Sequence, residues 1–220
     1  HPQADVCTAS GCCQAYVERQ AAETRWGISA GTYSAKISQA VADTDGLGIL
    51  YQGAPIQAVF FSSAAGRTVD AVEVWGNAVP YLTSVDSPEG DEVPNYHSTV
   101  TVPLDEFKSK LLAQYPQADL SGEPAGWFAN LVPNSAGGVE TVDIGGTTVG
   151  GGSLRTLFGL RSTSFTVSAS ADGVTFSVTG YGHGVGMSQY GANALALTGK
   201  SYQEILSLYY PGTTLGPAPR

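Results

Sequence analysis

The sequence predicts an α+β protein, because strand-pair patterns alternate with short helical patterns and no long linker separates them. In residues 165–178, apolar residues alternate on both sides of the turn Asp172-Gly173, as in a β-hairpin. Residues 139–149 carry a second such pattern around a Gly-Gly pair. Near the end of the chain, Ser201 and Glu204 have the spacing of a helix capping box. We therefore expect a single domain of β-hairpins and short helices.

The first half of the chain contains two further predicted elements. Residues 35–42 form a helix that the turn residues 43–46 end. Two apolar runs, 48–51 and 56–61, form a hairpin around residues 52–55.

Three further helices are predicted from residue 104 onward. Pro103 suits the first position of a helix over 104–115, in which leucines and a phenylalanine recur at helical spacing. Residues 188–198 form another helix, and Gly199 is a suitable residue after its end. The capping box starts a last helix, and Pro211-Gly212 stop it.

The composition limits the classes of partner. Only 13% of the 220 residues are charged, about half of the usual share of roughly 25%. The net charge is −9, and the 10 basic residues do not cluster, which argues against nucleic acid and anionic membranes as partners. No apolar run approaches the roughly 18 residues that a membrane span needs. The profile favours an extracellular protein, and it leaves open a neutral or mixed-charge polymer such as a polysaccharide as a partner.

The densest group of candidate site residues is the segment 180–192, a Gly-rich loop between a strand and a helix. Its five glycines allow unusual backbone angles and close packing. They frame His183, Ser188 and Gln189 just before a helix N-terminus, where unpaired N–H groups favour a polar or anionic ligand. The alternative is a tight turn in which His183 is purely structural.

Three stretches of the sequence resemble the SpoIID/LytB family. Residues 180–215 read GYGHGVGMSQYGANALALTGKSYQEILSLYYPGTTL, which resembles the terminal signature of the family. Residues 61–68 read FSSAAGRT and are followed by VWG at 74–76 and PYL at 80–82, as in its central segment. Residues 154–165 resemble the stretch before its last strands. The resemblance covers nearly the whole chain and identifies residues 1–220 as the larger, C-terminal part of such a domain.

The resemblance implies activity on peptidoglycan outside the bacterial cell, at the wall. Family members cleave glycan strands as lytic transglycosylases and prefer strands stripped of peptides, and others are amidase enhancers. A single Glu is expected to protonate the glycosidic oxygen and then to accept the proton of the 6-hydroxyl as an anhydro ring closes. The family places this Glu ahead of the region that matches Ala15-Tyr16. We therefore assign no catalytic residue in the chain and expect the chain alone to be inactive.

The implied substrate is a glycan strand, and further partners consistent with the resemblance are an amidase or a cleaved N-terminal segment. The expected cleft is lined by Ser62, Ser63, Arg67, His183, Ser188, Gln189 and Tyr190. His183 and Gln189 would hydrogen-bond sugar or acetamido groups, and Tyr190 or Trp75 would stack on a pyranose ring. We expect the His183 loop and the 62–67 loop to face each other across one groove. A binding module without catalysis would use the same surface.

One internal carboxylate could replace the missing acid. Glu73 lies beside Trp75, and an apolar neighbour can raise the pKa of a carboxyl group. The simpler interpretation is a surface Glu that leads into a buried Trp.

The cysteines form a second candidate site. His1, Cys7, Cys12 and Cys13 supply four zinc-ligand types within 13 residues, as in tetrahedral structural zinc sites. Some SpoIID/LytB members hold zinc with Cys and His at this spacing, with His where this chain has Cys12. A Cys7–Cys12 or Cys7–Cys13 disulfide, or reduced thiols, are the alternatives. We predict structural zinc.

Overall fold

The computed structural model describes residues 7–9 and 16–218. The chain divides into two compact units, of which one ends at Leu47 and the other begins at Gly48. The first unit contains helices α1 (Arg19–Trp26) and α2 (Ala30–Asp43), joined by a short 3-10 turn. The helix predicted over 35–42 is confirmed as the second half of α2.

The remaining elements mix strands and helices, which confirms the α+β class. They are, in chain order, β1 (Leu47–Tyr51), β2 (Ala54–Pro55), β3 (Phe60–Phe61), α3 (Ala71–Trp75), β4 (His97–Val102), α4 (Leu104–Gln114), β5 (Phe128–Pro133), β6 (Val139–Ile144), β7 (Thr147–Gly150), α5 (Gly151–Phe158), β8 (Phe165–Ser170), β9 (Gly173–Thr179), β10 (Met187–Ser188), α6 (Gln189–Leu197), α7 (Tyr202–Tyr209) and β11 (Thr214–Pro217). No helix among the described residues is long and apolar enough to cross a membrane.

Two three-stranded antiparallel sheets build the larger core. Their strand orders are β4-β9-β8 and β5-β6-β7, so the hairpins predicted around 145–146 and 172–173 are confirmed. Alternate residues of β9 point inward, and Phe176 is fully buried. Phe107 of α4 stacks on Phe158 of α5 with ring centroids 4.9 Å apart, which joins the helices in one core.

A second, smaller core lies around α7. Tyr209 and Leu82 are fully buried there, and Val185 of the Gly-rich loop packs with them. The capping box predicted for α7 is confirmed, since Ser201 and Glu204 bond each other's backbone N–H. These hydrogen bonds from Ser201 lower the pKa of Glu204 to about 2.

The hairpin predicted over 48–61 is wrong in its second strand. The turn consists of Gln52 and Gly53, both with positive φ (51° and 83°), which matches the twist of a tight hairpin. The returning strand is only β2. β3 leaves this hairpin and pairs instead, in parallel, with β10 in the second half of the Gly-rich loop.

Candidate functional site

The Gly-rich loop lies directly against the segment 59–69. Tyr181 and Ser63 exchange two backbone hydrogen bonds of 2.8 and 3.0 Å, and Val69 N–H donates to the Gly184 carbonyl at 2.7 Å. At the far end of the loop, Tyr190 N–H donates to the Ser62 carbonyl at 3.0 Å. The two segments that were predicted to face each other across a groove are therefore direct neighbours. They are joined by hydrogen bonds, however, and do not face each other across a groove.

This close contact explains why every second residue from Gly180 to Gly186 is glycine. Gly182 and Gly184 have positive φ angles of 127° and 84°. A Cβ atom at Gly182 would lie 2.6 Å from the Cβ of Phe61, and one at Gly184 would lie 2.7 Å from a methyl carbon of Val69. Any larger residue would force the two segments apart, so the loop geometry depends on these glycines.

Both ring nitrogens of His183 form hydrogen bonds with backbone groups. Val185 N–H donates to Nδ1 at 3.1 Å, so Nδ1 carries no proton. Nε2 therefore carries the proton and donates it to the Phe60 carbonyl at 3.1 Å. Burial, together with the positive charge of Arg155, lowers the pKa of His183. The structure thus holds His183 as a neutral ring that positions the loop.

This arrangement predicts a pH-dependent stability. Because the folded pKa of His183 lies below its unfolded value of about 6.5, the unfolded chain binds more protons at acidic pH. The stability from His183 is complete above that value and is lost as the pH falls toward the folded pKa. Urea unfolding at about pH 8, 7, 6 and 5 should show this fall, and the His183→Gln variant should lack that component. An equal fall in both proteins would contradict the assignment.

The structure also reveals a buried carboxylate that the sequence reasoning missed. Glu89 is only 4% exposed and accepts hydrogen bonds from the Ala64 N–H at 2.6 Å and the Ser87 hydroxyl at 2.5 Å. The Ser188 hydroxyl donates to the same carboxylate, and Ser87 is linked in turn to Tyr209 at 2.6 Å. Glu89 therefore ties the 59–69 segment, the start of α6 and α7 together.

The predicted substrate-binding residues fall into two groups by exposure. Ser63 and Ser188 are buried, at 3% and 0% exposure, so they contribute to the framework beneath the surface. Ser62 is partly buried, and Arg67 is exposed and paired with Asp86. Among the described residues that reach the surface are Gln189, Tyr190 and Trp75. Their contact with substrate stays a prediction.

Trp75 is 44% exposed, which contradicts the expectation of a buried Trp beside Glu73. The ring of Trp75 lies 5.5 Å from the ring of His183. Glu73 is partly buried, and both of its oxygens accept hydrogen bonds from Ser135, the shortest at 2.6 Å from the hydroxyl. Glu73 is therefore engaged in holding the loop before β6.

Two adjoining pockets surround this part of the surface. The smaller, of 80 Å³, is lined among others by His183, Glu73 and Arg155. The larger and more open, of 360 Å³, is lined by Arg155, Arg161 and Tyr181 with three of their neighbours. Arg155 lines both pockets and is the residue that links the His183 side to the Arg161 side. Trp75 borders one end of it through its contact with His183.

Three of the four predicted zinc ligands, His1, Cys12 and Cys13, lie outside the residues that the structure describes. Cys7 is described and is partly buried. Within residues 7–9 and 16–218, no three His, Cys, Asp or Glu side chains cluster in a way that suits a metal ion. Zinc and a disulfide both stay predictions.

Comparison with known proteins identifies the class. The chain is 38% identical over 205 residues to stage II sporulation protein D of Bacillus subtilis. The aligned region covers 93% of this chain and 58% of that protein. The same protein of Bacillus amyloliquefaciens is 37% identical over equal coverage. The amidase enhancer of Bacillus subtilis is 31% identical over 236 residues, with 84% of this chain and 33% of that protein covered. No family model matches the chain.

The protein is therefore of the α+β class, and its Gly-rich loop is hydrogen-bonded to the segment 59–69. The chain belongs to the SpoIID family. It spans less than two thirds of the length of the stage II sporulation proteins D that it matches.

Proposed function

We propose that the chain belongs to a protein that acts on peptidoglycan at the bacterial cell wall, and that the surface from Trp75 to Arg161 binds the glycan strand. The observation that carries this proposal is the exposed Trp75 ring beside the rigid His183 loop. Flat apolar faces of pyranose rings stack on such side chains, and a rigid scaffold reduces the entropy lost on binding. The relation to the SpoIID family supports the same substrate class.

We further propose that the whole protein cleaves the strand by a lytic transglycosylase reaction. One Glu protonates the leaving oxygen and then removes the proton of the 6-hydroxyl as it attacks the anomeric carbon. Glu73 is poorly suited to this task, because Ser135 occupies both of its oxygens. Glu89 is buried beneath the loop and accepts three hydrogen bonds. We therefore keep the assignment of the acid to a Glu that the family places ahead of Ala15.

An amidase-enhancing role is the second candidate, favoured by the similarity to a protein named amidase enhancer. In that case the surface would bind glycan without cleaving it. A partner amidase, which removes the peptides, would then work faster on the bound strand.

One experiment separates these functions. This chain and the full-length protein are incubated with peptide-free glycan strands, and anhydro-muramyl ends are measured by mass spectrometry. In a second arm, each is added to peptidoglycan with an N-acetylmuramoyl-alanine amidase, and peptide release is timed. Anhydro ends from the full-length protein alone support cleavage, and faster peptide release without them supports enhancement. Turnover by this chain that Glu73→Gln abolishes would move the acid to Glu73, and no effect in either arm would contradict both functions.

Binding should depend on Trp75. Replacing Trp75 by alanine removes the exposed ring, so we expect the dissociation constant for peptide-free glycan to rise about 10-fold or more. Isothermal titration calorimetry measures this change. Tyr202, an aromatic residue of α7 with 39% exposure, is the matched control, and Tyr202→Ala should bind as the wild type does. Equal losses in both variants would contradict the placement of the glycan.

A further inference from the structure

Two of the ten basic residues of this acidic chain line one pocket within the proposed glycan surface. Arg155 lies on α5, and its Nε donates to the Arg161 carbonyl at 3.2 Å. The same carbonyl accepts the Gly182 N–H at 2.9 Å. The Arg161 carbonyl is therefore bonded both to the side chain of Arg155 and to the Gly-rich loop.

Arg161 lies over an aromatic ring. Its guanidinium carbon lies 4.1 Å from the centre of the Tyr181 ring, a distance typical of a cation–π contact. Its Nε is buried and has no hydrogen-bond partner among the described residues. Tyr181 is 45% exposed, so the pair lies at the surface. A buried donor without an acceptor is costly.

Arg155 is also short of an anionic partner. In the described part of the chain, neither Arg155 nor Arg161 takes part in an ion pair, whereas Arg67, Lys110 and Lys200 each do. Burial lowers the pKa of the Arg155 guanidinium, although arginine stays charged at neutral pH. Two acids share the small pocket with Arg155: Glu140 and Glu73, the latter bonded to Ser135. The larger pocket, in contrast, is lined by two arginines and by no acid among the described residues.

We propose that Arg155 and Arg161 form a carboxylate-binding subsite for the peptidoglycan substrate. The planar N–H fork of a guanidinium matches the two oxygens of a carboxylate, and Tyr181 keeps the fork of Arg161 in place. The proposal rests on the proposed function, because it adds a charged contact to the same glycan surface. Peptidoglycan offers this chemistry from two sources: the lactyl group of a muramic acid residue without peptide, and the free carboxylates of a stem peptide.

The test compares three ligands with the same number of sugar rings by isothermal titration calorimetry. The ligands are a peptide-free peptidoglycan oligosaccharide, its peptide-bearing form, and a chito-oligosaccharide, which has no carboxylate. The wild type should bind a carboxylate-bearing ligand at least about 10-fold more tightly than the chito-oligosaccharide. Preference for the peptide-free form identifies the lactyl group, and preference for the peptide-bearing form identifies the stem peptide.

The variants Arg155→Gln and Arg161→Gln should lose this preference and still bind the chito-oligosaccharide. Arg161→Lys keeps the positive charge but lacks the planar N–H fork, so it should retain part of the preference for carboxylate-bearing ligands. Lys108→Gln is the matched control, because Lys108 also lies over an aromatic ring, 5.2 Å from the centre of Trp127. A variant is scored only if its thermal unfolding matches the wild type.

Three outcomes would overturn the subsite. Equal affinity of the wild type for all three ligands would do so and leave the proposed glycan binding intact. A preference that survives in both glutamine variants would also do so. Failure of every glycan to bind would overturn the proposed function and the subsite together.

Discussion

Replacing Glu89 by alanine should lower the free energy of unfolding by about 3 kcal/mol or more. The Ala64 N–H would lose its acceptor inside the protein, and a buried donor without a partner costs about 1–3 kcal/mol. The hydroxyls of Ser87 and Ser188 would lose the same carboxylate, and the removed side chain would leave a cavity. Urea unfolding followed by circular dichroism measures the difference.

Two further variants separate this effect from a general loss of charge. Glu123 is an exposed acid, and Glu123→Ala should change the stability by less than about 0.5 kcal/mol. Glu89→Gln keeps one acceptor oxygen, and Ser87 can rotate to accept from the new amide, so its effect should lie between the two. A stability of Glu89→Ala within the range of Glu123→Ala would contradict the network.

Replacing Gly186 by alanine should lower the free energy of unfolding by about 2–6 kcal/mol. Gly186 has a φ of 76°, which costs a non-glycine residue about 1–3 kcal/mol. In addition, the new Cβ would overlap the carbonyl oxygen of Val59, and overpacking costs about 1–3 kcal/mol. A carbonyl of the backbone cannot rotate away as a side chain can, so β3 and β10 would have to move apart.

Gly199→Ala is the matched control for this variant. Gly199 has a similar φ of 92°, but no atom lies within 4 Å of the position of its Cβ. The Gly199→Ala variant should therefore lose only the free energy of the backbone strain, about 1–3 kcal/mol. The difference between the two variants in urea unfolding measures the close approach of the loop to residues 59–69. Equal losses of stability in Gly186→Ala and Gly199→Ala would contradict a tight contact between the loop and residues 59–69.

Local patterns in the sequence predicted most of the regular elements. The hairpins β6–β7 and β8–β9 and the helices α4, α6 and α7 were predicted from alternation, helical spacing and caps, because these signals lie within a few residues of each other. α3, β4 and α5 were not predicted. β4 has partly exposed alternate positions and pairs with a strand about 75 residues later in the chain, so its signal is non-local.

The site was harder to predict, because its chemistry depends on contacts between distant segments. Glu89 is an ordinary acid in the sequence, and only the fold brings it to Ser188, 99 positions away. The role of His183 also changes once Val185 and the Phe60 carbonyl occupy both ring nitrogens. A signal for Arg161 was present in the segment 154–165, but its contact with Tyr181 is visible only in three dimensions.

The measurement that tests the central claim most directly is an NMR titration of this chain with a peptide-free glycan oligosaccharide. Amide shifts should concentrate at 74–76, at 180–186 and around Arg161, because these residues border the proposed surface. The side-chain Nε1–H of Trp75 should shift together with them, and Tyr202 should not shift. Saturable shifts confined to this surface are the result that the account predicts. Shifts centred on the sheet β5–β7, or no shifts at saturating glycan, would contradict it.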